Sequence, residues 1–239
     1  RWSYRPEDAQ HLAEFAAVRQ IVDGLIDRTW FQPEAASRIE HMWEQAPWIR
    51  ASVDTSTARV RSNLDIPFLD QLQSAIAGEA VEELCVLSAF YDESAVALDR
   101  MLRTLNPGRC VVYVQPGEGG TSVDPEALGR VLAGWGGDSE VRVYSTQGLK
   151  GKAYCHAKMV VAKTQARAWC LQGSPNMSQA AMLLTASVGN FEAANLVEAG
   201  RDDFDYVWSE LRGVKPKDPR EIGTKYLGSA EVNGPAEKS

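Results

Sequence analysis

The sequence predicts an α/β fold with a mixed, largely parallel central sheet, preceded by an N-terminal helical segment. Between residues 84 and 145, short runs rich in branched apolar residues alternate with helical spacings, a β-α-β-α-β order that calls for parallel strands. Before residue 47 only the helical period is present. The 239 residues, 44% of them hydrophobic, suffice for one substantial packed domain.

Leu12, Phe15, Val18, Ile21, Val22 and Leu25 share one face of a helix over 6–28, with Pro6 suited to its first turn. Pro33 opens a second helix, with Ile39, Met42, Trp43 and Ala46 on one face, and Pro47 stops it. His11 and His41 lie in these helices without a surrounding constellation and are read as structural. LCVLSA (84–89) is a strand, Asp92 caps a helix through Leu105, and RCVVYVQ (109–115) is the next strand. Asp124 with Pro125 opens a helix to about Trp135, and EVRVYS (140–145) follows as a strand. AYCHAKMVVA, RAWCLQ and NFEAANLVE read as three more strands, and DDFDYVWSELR as a closing helix. The chain thus divides into an N-terminal helical segment (1–55), an α/β domain (62–212) and a C-terminal linker or flexible tail (213–239).

Cys85, Cys110, Cys155 and Cys170 each sit in apolar runs with no metal-knuckle spacing, so reduced core thiols and a cytoplasmic setting are expected. The longest apolar stretch, AAMLLTASV at 180–188, falls well short of the roughly 18 residues of a membrane span. Arg1 stands first, so the chain is expected to be a stretch of a longer protein.

Chemistry concentrates in residues 154–192. On a strand, His156 and Lys158 emerge on the same face about 7 Å apart. An imidazole and an ammonium are poor core groups unless an anion faces them. The GSPN turn adds the short polar groups of Ser174 and Asn176, and Gly173 lets backbone approach closely. Together these residues describe an oxyanion site. Between Val141 and Phe191 there is no Asp or Glu, while Arg142, Lys150, Lys152, Lys158, Lys163 and Arg167 add positive charge to a chain whose net charge is −7. A local basic field in an acidic protein suits a phosphate-bearing substrate, with Lys150 and Lys152 as candidate substrate contacts.

The set His156, Lys158, Gly173, Ser174, Asn176 and Glu192 resembles the HxK…GSxN signature of the phospholipase D superfamily, especially its nuclease branch. The likeness spans roughly residues 62–212 and implies a phospholipase D-like α-β-α sandwich. It implies a phosphodiesterase in which His156 forms a covalent phosphohistidine, Lys158 and Asn176 hold the non-bridging oxygens, and Ser174 supports them. Glu192 would orient the histidine by bonding its other ring nitrogen. The scheme requires no metal or other cofactor, and the sequence offers no cluster of ligating residues for one. The family usually carries an aspartate five residues after the lysine, where this chain has Lys163; at the strand's far end such a carboxylate would organise structure. The family also uses two HxK motifs, and this chain has one. A homodimer, or a second motif half outside these residues, is therefore expected to complete the site, shielding the apolar AAMLL segment after GSPNMS. Nucleic acid, with DNA the favoured form, is the substrate implied. Phospholipid hydrolysis or phosphatidyl transfer is an alternative weakened by the lack of a membrane-docking segment. A degenerate half that binds nucleic acid or a partner without cutting is the other.

Overall fold

Successive residues of a strand face opposite sides of a sheet. Leu84, Val86, Cys110, Val112 and Val114 accordingly pack on one side, and Cys85, Leu87, Val111 and Tyr113 on the other. The computed structural model describes residues 8–50, 53–114, 116–117, 120–121, 123–143, 156–210 and 215–216. In chain order the elements are α1 (Ala9–Asp27), α2 (Pro33–Gln45), a 3-10 turn (Pro47–Arg50), β1 (Val60–Ser62), α3 (Phe68–Ile76), β2 (Glu83–Leu87), α4 (Val96–Leu105) and β3 (Arg109–Val114). They continue with β4 (Pro116–Gly117), β5 (Gly120–Thr121), α5 (Pro125–Trp135), β6 (Asp138–Val143), β7 (Met159–Lys163), β8 (Arg167–Gly173), α6 (Gln179–Met182), β9 (Ala193–Gly200), α7 (Asp205–Glu210) and β10 (Lys215–Pro216). Among the described residues, β4 and β5 pair only with each other. The other strands form one sheet in the order β1-β9-β8-β7-β2-β3-β6-β10.

The predicted β-α-β-α-β unit is present as β2-α4-β3-α5-β6, with β2, β3 and β6 mutually parallel. The expectation of a largely parallel sheet is corrected: every other pairing in the sheet is antiparallel. The reason is connection length. A parallel return needs a crossover of a dozen or more residues, whereas β7 reaches β8 through Thr164–Ala166 alone. The link from β8 to β9 holds only the short α6.

Helices cover both faces, giving an α-β-α sandwich. α3, α4, α5 and α6 bury Phe68, Leu72, Leu98, Met101, Leu102, Leu128 and Met182 on the first face. α7 lays Val207 and Trp208 against the second, where Trp208 stacks on Tyr113 with ring centroids 4.7 Å apart. Two expected caps are formed. Asp124 Oδ1 accepts from Glu126 N, and the Asp92 carboxylate accepts from Val96 N and Ala97 N. Asp92 also accepts from Gln179 N at 3.1 Å, so one side chain serves the first turns of α4 and α6.

α1 faces the domain differently from the expected apolar stripe. It buries Ala13, Ala16, Ala17 and Leu25 and leaves Val18 exposed, because the small residues let it approach Ala58 and Val53 closely. The same face carries Glu14, whose buried carboxylate accepts from Arg59 N and Val60 N at 3.0 Å, occupying amides at the β1 edge of the sheet. His11 and His41 each lie near a carboxylate on the same helical stretch, Asp8 and Glu44.

The AAMLL segment is also corrected. Ala181 and Met182 are buried in this chain's own core against α3 and α4, so no partner is needed to cover them. Of the C-terminal segment, Lys215–Pro216 pairs antiparallel with β6. Cys85, Cys110 and Cys170 are free and buried, and burial pushes the Cys110 and Cys170 thiols up to about 12. Cys155 lies outside the described residues. Among the described residues no helix is long and apolar enough to cross a membrane.

Candidate active site

β7 is antiparallel to β2, with Met159 opposite Leu87, so the start of β7 lies at the carboxyl end of the parallel strands. The end of β8 and the start of β9 share that end, because Gly173 pairs with Ala194. Sheet topology therefore gathers His156 and Lys158, the Gly173–Asn176 turn, and Glu192 at one end of the sheet, as open α/β sheets do with their ligand sites.

His156 and Lys158 precede β7, which begins at Met159; the expected strand start is corrected by that much. Their side chains still meet. Lys158 Nζ lies 3.0 Å from Nδ1 and 3.2 Å from Nε2 of His156, and donates to the His156 carbonyl at 3.0 Å. Lys158 is buried, with 9% exposure, while His156 is exposed. The Phe90 ring packs edge-to-face on the imidazole at 5.5 Å. Burial, and then the Lys158 charge, hold the His156 pKa below the ordinary imidazole value. Both effects favour the neutral ring, whose nitrogens lie against the Lys158 ammonium.

Gly173 makes the turn possible. A Cβ there would fall 2.4 Å from the Ala193 carbonyl and 2.6 Å from Ala194 Cα, closer than atoms tolerate. Ser174 N donates to Ala193 O, Ala193 N donates to Ser174 Oγ, and Ser174 Oγ donates to the buried Glu192 carboxylate. The expected Glu192–His156 hydrogen bond is corrected by this geometry: among the described residues, the hydroxyl of Ser174 is the side-chain donor to Glu192. Asn176 is half-buried, and its Oδ1 is shut off from solvent without a hydrogen-bond partner among the described residues. Turned about χ2, the same amide would present its NH2 there as a donor. Lys150 and Lys152 lie outside the described residues.

The expected basic field is smaller than the sequence suggests. Arg142 pairs with Glu140, and Arg167 pairs with Glu79 and Glu198. Lys163, 5% exposed, pairs with Asp205 and with Glu83 at 3.4 Å. Burial opposes its charge, but the Asp205 hydrogen bond and the Glu83 charge outweigh it and raise the Lys163 pKa. Lys163 and Arg167 stand at the far end of the sheet from His156, since Lys163 is opposite Glu83 and Arg167 opposite Gly200.

Three residues of this region lack any signature in the sequence. Asn63, fully buried, accepts from Glu192 N through Oδ1 at 2.8 Å and donates through Nδ2 to Leu184 O and Asn190 O. Ser88 Oγ accepts from Met177 N at 2.9 Å and donates to Phe90 O at 2.7 Å, tying the end of β2 to the GSPN turn. Phe90 is the third, by its contact with His156. Among the described residues no group of three or more His, Cys, Asp or Glu side chains is placed to hold a metal.

No family model and no curated protein matches this chain. Solved structures similar to it include yeast tyrosyl-DNA phosphodiesterase, at 16% identity over 52% of this chain and 27% of that one, with a TM-score of 0.34. NucT from Helicobacter pylori is similar at 13% identity over 63% of this chain and 91% of that one, with a TM-score of 0.35. TrmBL2, an archaeal chromatin protein, is similar at 13% identity over 84% and 69%, with a TM-score of 0.29. The chain spans little more than a quarter of the yeast protein. These are likenesses of this chain; its fold is assigned on the strand order and layers above.

Proposed function

We propose that this chain carries the catalytic half of a metal-independent phosphodiesterase that cleaves nucleic-acid backbones through a phosphohistidine at His156. The observation that carries this reading is the exposed imidazole with the Lys158 ammonium 3.0 Å from its Nδ1, beside the Ser174–Asn176 turn. A phosphodiester anion resists nucleophiles until its non-bridging oxygens are neutralised. Lys158 supplies the charge, and the Asn176 amide supplies a hydrogen bond.

A ring nitrogen of His156 then attacks phosphorus; the N–P bond forms, the P–O bond to the leaving group breaks, and the departing oxygen takes a proton. Water attacks next, giving its proton to the group that protonated the leaving oxygen, the N–P bond breaks, and a phosphate monoester leaves. Covalent catalysis of this kind divides one hard displacement into two easier ones. The buried Ser174–Glu192 pair holds the turn in place rather than orienting the histidine directly. A second such half, from an identical chain or from sequence outside these residues, provides the acid that protonates the leaving group. Lys163 is remote from this chemistry, so its place in the motif does not speak against activity. Three free, buried thiols suit a reducing, cytoplasmic setting.

Incubation with labelled single- and double-stranded DNA and RNA in EDTA tests the proposal. Cleavage that survives chelation and disappears in His156→Ala supports it. Binding without cleavage would assign a degenerate binding half, and headgroup release from phospholipid vesicles would assign a phospholipid hydrolase.

A further inference from the structure

We propose that Trp30 and Phe191 form a stacking platform for the bases of an unpaired nucleic-acid strand whose backbone runs into the His156 site. The inference rests on the phosphodiesterase reading and gives the N-terminal helices a part in substrate binding. Their rings meet edge-to-face, centroids 6.2 Å apart, and remain 45% and 37% exposed. Single exposed aromatics are ordinary. Two in contact beside a candidate anion site are a different matter.

The chain holds Trp30 outward at some conformational cost. Thr29 adopts φ 57°, a left-handed conformation that a β-branched residue rarely takes, while its N–H donates to Ile26 O and that of Trp30 donates to Leu25 O. α1 is seated so that this turn reaches the domain: Leu25 and Ile21 pack with Leu64 and Ala186. Asn63 N donates to Glu192 O, and Asn63 Oδ1 accepts from Glu192 N. Phe191 is the residue just before Glu192. The platform therefore stands at the β9 side of the site, and Lys158 lies two strands away. Two inter-strand spacings are about 10 Å, roughly three steps of a stacked strand at 3.4 Å per nucleotide.

A nucleotide strand offers flat π-faces and phosphates at this kind of spacing, which matches exposed rings beside a cationic site. A duplex keeps its base faces stacked inside, so the platform selects unpaired strands.

The test is the dissociation constant of a fluorescent ten-nucleotide oligodeoxythymidine, an abasic strand of the same length, and a duplex. All are measured by anisotropy in the His156→Ala background so that the strands stay intact. Trp30→Ala should weaken oligodeoxythymidine binding about tenfold, a loss within the range for removing one stacking ring. It should leave the abasic strand unaffected. Trp30→Phe should retain most of the binding. Should Trp30→Ala fail to fold, Phe191→Leu, which keeps apolar volume and removes a ring, should give a loss of the same sign. Equal losses on the based and abasic strands, no loss, no binding of the unpaired strand, or equally tight duplex binding would each overturn the proposal. So would a Trp30→Ala change in oligomeric state by light scattering, which would make the pair a contact between copies of the chain. Absence of cleavage by the unmutated chain would sink the catalytic reading and leave a base-dependent difference in binding standing, so the two failures are distinguishable.

Discussion

The ammonium of Lys158 and the imidazole of His156 set each other's chemistry. Protonating the ring would place two cations about 3 Å apart at a partly desolvated spot, so the free base is favoured. In an NMR titration of the three histidines, His156 should titrate below 6.5, and Lys158→Met should move it upward. A His156 titration at or above 6.5 in the unmutated chain would contradict this arrangement. The unfolded chain takes up the proton more readily than the folded one. The stability from this group is therefore fully present above pH 6.5 and is lost as pH falls through the lower folded value. His156→Ala should abolish turnover with an unchanged circular dichroism spectrum, because an exposed ring contributes chemistry rather than packing; mass spectrometry under acid-sparing conditions should find phosphate on His156 of the intact chain. Gly173→Ala presses a methyl into the Ala193 carbonyl and the Ala194 backbone. It should cost about 1–3 kcal/mol in chemical denaturation and remove activity, since backbone rather than a flexible side chain must move.

Among the elements, β7 joins two ends with separate duties: it begins beside His156 and ends at Lys163, which fastens β2 and α7 through Glu83 and Asp205. Lys163→Met should lower stability by about 2 kcal/mol in urea melts. Lys163→Asp, the residue usual in the family that the motif resembles, should be worse, because it faces Glu83 and Asp205 with a third carboxylate. Neither change should shift the His156 titration, which separates anchoring from chemistry. Asp92→Ala loosens the first turns of both α4 and α6 and should cost about 1–2 kcal/mol. This cap and the one at Asp124 were legible because they depend on neighbours in sequence. So was the β-α-β-α-β order, which is a matter of local period. Strand sense beyond β6 was less legible, since it depends on which edges the later strands meet. The Glu192 partner was hidden because the turn after β8 folds Ser174 back onto the residues before β9, a contact that strand period does not reveal. Glu79, Glu83 and Asp205 lie far in sequence from the cations they neutralise, and Asn63 does its work through backbone groups more than a hundred residues away. No local pattern marks such contacts.

For the molecule as a whole, a single HxK set predicts that the active species is an assembly of two halves. If two identical chains form it, light scattering should give a dimer, and mixing intact with His156→Ala chains should reduce activity faster than linearly with mutant fraction. An active, strict monomer with no second histidine near His156 would rule this out. The acidic net charge and the pairing of Arg142, Lys163 and Arg167 imply few backbone contacts. Binding of nucleic acid should consequently weaken only gently as salt rises, with a slope corresponding to a small number of displaced counterions. The Glu14 carboxylate bears on how any such assembly is to be interpreted. By occupying the Arg59 and Val60 amides it closes a template on which a foreign strand could otherwise grow. A shortened chain lacking residues 1–27 would uncover that template, and its self-association would be strand addition masquerading as the functional pair, insensitive to His156→Ala and devoid of cleavage.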